Sequence, residues 1–141
     1  MTDQLKLLEV RRPIFWGEMD AFGHLNNVHY FRYFEDARIA FLGQFNFFEI
    51  KLYSVILKNE CEYRRPVVYP DTLTTRCYVT HVGNTSFTLL YEVWSEQQQQ
   101  RVAVGKSVVV IVAPENFKKQ AIPDSLKTRL LAYMAQFQYL E

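Results

Sequence analysis

Residues 28–42, VHYFRYFEDARIAFL, have the periodicity of a helix that is apolar almost all the way round. Val28, Tyr30, Phe31, Tyr33, Phe34, Ala37, Ile39, Ala40, Phe41 and Leu42 cover most of its circumference, with Arg32, Glu35, Asp36 and Arg38 as the exceptions. A surface helix needs only one apolar stripe, so a helix this apolar must be surrounded by the rest of the chain. It is too short to cross a bilayer, which takes about 20 apolar residues. Gly43 marks its expected stop, and Phe45, Phe47 and Phe48 keep the following connection on the core.

What surrounds the helix is β-like. Residues 7–16 read as a strand, with Pro13 suited to an edge or an irregular position. Residues 53–57 and 60–68 read as one long or kinked strand. After the Pro70-Asp71 turn, residues 72–81 alternate with a two-residue period. Gly83-Asn84 is a tight-turn signal leading into a strand over 86–94, and the polar run 97–100 forms the next turn. Residues 102–112 are strongly β-branched, as in a central strand. Ile122-Pro123-Asp124-Ser125 resembles a helix entry, with Asp124 or Ser125 as cap and a final amphipathic helix over 126–139. One enclosed helix followed by consecutive antiparallel strands implies a sheet that wraps around the helix. The expected class is therefore α+β: the hotdog fold, an antiparallel sheet around one long central helix, with a C-terminal helix. No linker or repeat divides the 141 residues, so a single domain over 1–141 is expected. Such a sheet keeps open edges, and pairing with a second copy follows.

The remaining composition narrows the function classes. A formal net charge of +1 gives no electrostatic case for nucleic acid or a membrane surface. The first residues show no basic segment followed by an apolar one, so no signal peptide is read. Cys61 and Cys77 lack metal-ligand or disulfide spacing and read as small buried hydrophobes in a reducing compartment. The expectation is a cytoplasmic protein with no metal and no cofactor. Gly-x-Ser-x-Gly and glycine-rich phosphate loops are absent, which leaves a serine hydrolase or an NTPase without support.

The chemistry concentrates just before the helix. Asp20, Gly23, His24, Asn26 and Asn27 fall within eight positions that read as a loop, the asparagines being good N-caps. A helix start presents unpaired N–H groups and a positive dipole end, which can hold a developing oxyanion. A carboxylate beside it can act as nucleophile or as general base. Each residue also has a plainer role. Asp20 can cap a turn, His24 can hydrogen-bond the loop, and Asn26 and Asn27 can simply cap the helix.

The run Asp20-Ala-Phe-Gly23-His24-Leu-Asn26-Asn27-Val-His-Tyr30-Phe-Arg-Tyr33-Phe-Glu35 resembles the signature of the 4-hydroxybenzoyl-CoA thioesterase family of hotdog proteins, in its small bacterial acyl-CoA thioesterase branch. The resemblance extends to Pro-Asp-Thr-Leu at 70–73, Gly-Asn-Thr-Ser-Phe at 83–87 and Val-Ala-Val-Gly-Lys-Ser at 102–107. It implies hydrolysis of an acyl thioester, of coenzyme A or of acyl carrier protein. It further implies that Asp20 attacks the carbonyl or activates water, and that the Asn27 backbone N–H polarises the carbonyl oxygen. His24 would assist, Gly23, Asn26, Tyr30 and Glu35 would contact substrate or shape its site, and the protein would be a homodimer or homotetramer. Two rivals remain: a hotdog dehydratase or hydratase, and a non-catalytic acyl-CoA-binding protein. The hydratase pattern places Asn-Pro between carboxylate and histidine, and Asp20-Ala-Phe-Gly-His24 lacks it. Arg64-Arg65, Lys106 and Lys118-Lys119 are candidates for coenzyme A phosphates, or plain solvated surface. Adjacent strand residues point to opposite faces, so Arg64 and Arg65 line one pocket only if the strand is bulged.

Overall fold

The computed structural model describes residues 5–141. In chain order it has β1 (Leu8–Pro13), α1 (His29–Gln44), β2 (Tyr53–Tyr63), β3 (Thr72–Val82), β4 (Ser86–Ser95), β5 (Gln100–Val112) and α2 (Asp124–Gln136). The strands form one antiparallel sheet in the order β1-β3-β4-β5-β2. β3, β4 and β5 follow one another by short connections, and the Gly83 N–H donates to the Ser86 carbonyl at 2.7 Å to close the first of them. Pro13 ends the edge strand β1, where its missing donor costs no ladder bond. β2 is the other edge and is kinked by a bulge at Leu57, between Ile56 and Lys58.

α1 packs against β1, β2, β3 and β4, and Phe34 carries it onto β5. Phe34, Ala37 and Phe41 are fully buried. The Phe34 ring stacks on Tyr91 with centroids 4.5 Å apart and planes within 5°. Close approach is possible because β5 has no side chain at Gly105: a methyl there would lie 2.2 Å from Phe34 Cε2. One turn on, the Arg38 guanidinium donates to the Tyr91 hydroxyl at 3.1 Å, and the Ser107 hydroxyl donates to Asn59 Oδ1. α2 closes one end of the core. Its Tyr133 lies edge-on to Phe41 at 5.2 Å, and its hydroxyl donates to the Cys77 carbonyl at 2.7 Å while accepting the Leu8 N–H at 3.0 Å. On the outer sheet face the nearly buried Glu92 lies between Arg76 (3.2 Å) and Arg101 (2.8 Å), a charge compensated on both sides. This is the α+β hotdog arrangement expected from the sequence.

Several boundaries differ, each for a structural reason. α1 runs through Gly43 to Gln44, because the left-handed residue that ends this segment is Asn46 (φ 58°). β2 ends at Tyr63 rather than 68: the Arg64 and Arg65 N–H groups both donate to the Val102 carbonyl (2.9 and 3.1 Å), which interrupts the ladder. α2 begins at Asp124 with Pro123 in the cap position, so neither Asp124 nor Ser125 caps it, and it ends at Gln136. Tyr139 lies beyond that helix, against the Arg101 guanidinium at 4.9 Å. Among the described residues no helix is long and apolar enough to cross a membrane.

Candidate active site

The segment between β1 and α1 is a tight ribbon built on backbone bonds. Met19 pairs with Leu25, the Asn26 N–H donates to the Glu18 carbonyl at 3.0 Å, and the Asp20 N–H donates to the His24 carbonyl at 2.7 Å. Gly23 makes the reversal with φ +80°, a left-handed conformation that glycine adopts without strain. Buried Leu25 anchors the ribbon to the 64–71 connection through its N–H, 2.7 Å from the Val67 carbonyl.

Asp20 organises the tip of this ribbon. Its Oδ1 accepts the Phe22 N–H at 2.9 Å and the His24 N–H at 3.1 Å, while Oδ2 has no partner among the described residues. The plain turn role is thus met by one oxygen, and the other is left without a partner among the described residues. Asp20 lines a cavity of about 440 Å³ with Trp16, Gly17, Met19, Ala21, Gly23, Val68 and Tyr69. Trp16 is 76% exposed and Val68 and Tyr69 are also open to solvent, so the carboxylate sits in an accessible setting of mixed polarity.

The helix start differs from expectation. Val28, not an asparagine, occupies the N-cap position, and no side chain caps the helix there. Asn26 Oδ1 instead accepts the Val28 N–H at 3.2 Å, and the Asn26 carbonyl accepts the His29 N–H at 3.0 Å. Asn27 accepts two hydrogen bonds at its carbonyl, from Tyr30 N–H (3.3 Å) and from the Tyr63 hydroxyl (3.1 Å). Its own N–H is paired with no acceptor among the described residues. The asparagines thus shape the turn before the helix rather than cap it.

Of the residues singled out from sequence, Asp20 and Gly23 line the cavity. His24 works through its backbone, and its imidazole makes no hydrogen bond among the described residues. Tyr30 is 2% exposed, with its ring edge-on to Tyr63 at 4.9 Å, and burial pushes its hydroxyl above the usual phenol range. Glu35 lies farther along α1, 3.8 Å from Arg32, away from the cavity. Arg64 is paired with Glu62 at 2.7 Å and with Glu141, whereas Arg65, Lys106, Lys118 and Lys119 are exposed. Burial also pushes the Cys61 thiol up to about 12, so it stays protonated and a poor nucleophile near neutral pH. No group of three or more potential metal ligands occurs among the described residues.

Two supporting residues escaped the sequence reading. Glu18 Oε1 accepts the Phe15 N–H (2.7 Å) and the Tyr33 hydroxyl (2.8 Å), and Oε2 lies 3.8 Å from His29 Nδ1. It ties the ribbon to the first turns of α1. A carboxylate two residues before Asp20, with His29 and Tyr33 four apart on one helix face, was the available signal. Tyr63 meets Asn27 across 36 positions of sequence, and no local pattern announces that contact.

Three comparisons bear on this geometry. The profile of the thioesterase-like superfamily matches residues 14–130. An Aquifex aeolicus relative named "Putative esterase" is 32% identical over 118 residues, 80% of this chain and 89% of that one. The PA2801 protein of Pseudomonas aeruginosa superposes with a TM-score of 0.80 at 29% identity, over 89% of this chain and 99% of that one. DHNA-CoA thioesterase from Staphylococcus aureus shares the fold at 16% identity, with a TM-score of 0.81 over 96% and 97% of the two chains. With a hotdog fold and a profile match that begins just after β1 and runs into α2, the chain belongs to the thioesterase-like superfamily, whose chemistry is thioester hydrolysis.

Proposed function

We propose that residues 1–141 form a single hotdog domain that hydrolyses acyl-CoA thioesters to a free carboxylic acid and coenzyme A. The observation that carries this reading is the state of Asp20: Oδ1 is fixed by two backbone donors, Oδ2 has no partner among the described residues, and the residue lines an open cavity. A thioester carbonyl is electrophilic and a thiolate leaves readily, so neither a metal nor a cofactor is required. In one route Oδ2 forms a bond to the acyl carbon, the C–S bond breaks, and the thiolate leaves and takes a proton. Water then hydrolyses the resulting aspartyl-acyl anhydride and regenerates the carboxylate. In the other, Asp20 takes a proton from water as the water oxygen attacks the same carbon; the C–S bond then breaks, and the departing thiolate takes the proton back from Asp20.

The Asn27 N–H would stabilise the oxyanion formed in either route, being unpaired and near the start of α1. Gly23 supports the reversal, Asn26 and His24 hold the ribbon, and Tyr30 underlies the helix start. Glu35 would contact the acyl portion only from a different approach than the Asp20 cavity. The edge strand β2, with exposed Tyr53, Leu57 and Tyr63, supports a homodimer or homotetramer built on that edge. Two free cysteines fit a reducing cytoplasm.

The test is release of free thiol from short, medium, long and aromatic acyl-CoAs by the purified protein. Turnover of any of them supports the reading. A folded protein that releases no thiol from this panel, yet cleaves acyl carrier protein thioesters, transfers the assignment to carrier-protein substrates. Tight acyl-CoA binding with no cleavage of either kind marks a binding protein.

A further inference from the structure

We propose that Tyr63 is a positioning residue for the Asn27 N–H, setting the aim of the oxyanion donor from the neighbouring edge strand; the inference rests on the thioesterase reading above. A donor of this kind acts only if its direction is fixed, because about 1 Å of misplacement costs up to ~10²-fold in rate. At most helix starts a side chain at the N-cap position fixes the first peptides. Here that position is Val28, which offers no such group.

Other groups supply the constraint. The peptide joining Asn26 to Asn27 contains the donor N–H, and its carbonyl is held by the His29 N–H at 3.0 Å. The next peptide, joining Asn27 to Val28, is gripped at both ends. Asn26 Oδ1 takes its N–H at 3.2 Å, and the Tyr63 hydroxyl donates to its carbonyl at 3.1 Å. The turn bond to that carbonyl, from Tyr30 N–H, is long at 3.3 Å, and the Tyr63 hydroxyl is its second donor. Both planes flanking the Asn27 Cα are therefore constrained, one of them by a side chain reaching across from β2.

Tyr63 is itself held. Its ring meets Tyr30 edge to face at 4.9 Å with an interplanar angle of 80°, and Tyr30 is locked in the core. Tyr63 lies on the β2 edge, 40% exposed, and its hydroxyl still reaches the Asn27 carbonyl. Its hydroxyl is thus the one part of the contact that orients a peptide rather than filling space.

Tyr63→Phe removes the hydroxyl and keeps the ring contact, so it separates the two roles. The expected result is a kcat about tenfold lower with KM within about twofold, a fraction of the ~10²–10³ lost when an oxyanion donor itself is removed. Tyr78→Phe, on β3 with its ring edge-on to Tyr139 at 5.5 Å, is the control and leaves both constants unchanged. A second readout follows the carbonyl directly. The infrared C=O stretch of a bound acyl-CoA analogue, with methylene replacing the thioester sulfur, is lowered in the wild type and less so in Tyr63→Phe. A purely structural tyrosine would shift the unfolding midpoint and leave that frequency alone. Wild-type kcat and carbonyl frequency in Tyr63→Phe overturn the positioning role while the thioesterase reading stands. A raised KM at unchanged kcat overturns it in favour of direct substrate contact. Absence of thiol release by the wild type from both acyl-CoA and acyl carrier protein thioesters overturns both.

Discussion

Asp20 and His24 hold each other twice: the Asp20 N–H donates to the His24 carbonyl at 2.7 Å, and the His24 N–H returns to Asp20 Oδ1 at 3.1 Å. The reversal between them carries the Phe22 side chain outward and turns at Gly23. The residue proposed to react is therefore also the residue that builds its own loop, and replacements must be chosen to separate these roles.

Asp20→Asn keeps an oxygen that accepts from Phe22 and His24, whereas Asp20→Ala removes both acceptors. Asp20→Ala should lower the unfolding free energy by about 1–2 kcal/mol, and Asp20→Asn by much less. Urea unfolding of the two variants checks this. Equal losses would mean that Oδ1 does not hold the loop.

Gly105→Ala places a methyl 2.2 Å from Phe34 Cε2 and 2.9 Å from the Glu60 carbonyl oxygen. Neither neighbour has room to move, since Phe34 is fully buried between this strand and Tyr91. Overpacking of this kind costs about 1–3 kcal/mol, and α1 should lift from the sheet at this point. The denaturant midpoint and the near-ultraviolet signal of the stacked aromatic pair are the measurements. A stability equal to wild type would contradict the close approach.

Glu18→Ala leaves the Tyr33 hydroxyl without its acceptor in a buried position, at a cost of about 1–3 kcal/mol. It also loosens the ribbon at its root, so kcat should fall without any change in the identity of the attacking group. Glu18→Gln, which retains an acceptor oxygen, should recover most of the stability. Hydrogen exchange over residues 15–27 would locate the loosening, and uniform exchange in wild type and Glu18→Ala would contradict the anchoring role.

Cys61 gives a pH dependence with a definite sign. Burial raises its thiol from 9.0 to about 12, so the folded state retains a proton that the unfolded state loses in between. The favourable contribution is fully present below pH 9 and is lost as pH rises from about 9 to about 12. The stability difference between wild type and Cys61→Ser should therefore shift against the wild type across that range. A constant difference would show that the thiol is not buried as described. The same protonation predicts slow alkylation of Cys61 by iodoacetamide at pH 8.

The parts of this fold legible in the sequence are those dictated by local periodicity. An all-round apolar helix had to be enclosed, and the alternation at 72–81 and the β-branched run at 102–112 had to be strands. Legibility failed where a contact between distant segments decided the outcome. Helix α1 passes Gly43 and stops short of left-handed Asn46, in a stretch where Phe41 and Phe45 pack on Tyr133, far along the chain. β2 stops early because Val102 draws two successive N–H groups from Arg64 and Arg65. At the site, the motif identified Asp20 and Gly23, both of which line the cavity, because turn chemistry is local. It assigned the cap to asparagines, whereas the chain uses them one and two positions earlier as turn formers. Tyr63 was out of reach, since its role exists only once β2 lies beside the start of α1.

The most direct test of the central claim is kcat/KM for the best acyl-CoA substrate, measured by thiol release for wild type and Asp20→Asn at matched folded concentration. Asp20→Asn should lose about 10³-fold or more, with the unfolding midpoint nearly unchanged. An Asp20→Asn protein that retains wild-type turnover would contradict it, and the attacking group would have to be sought elsewhere in the fold.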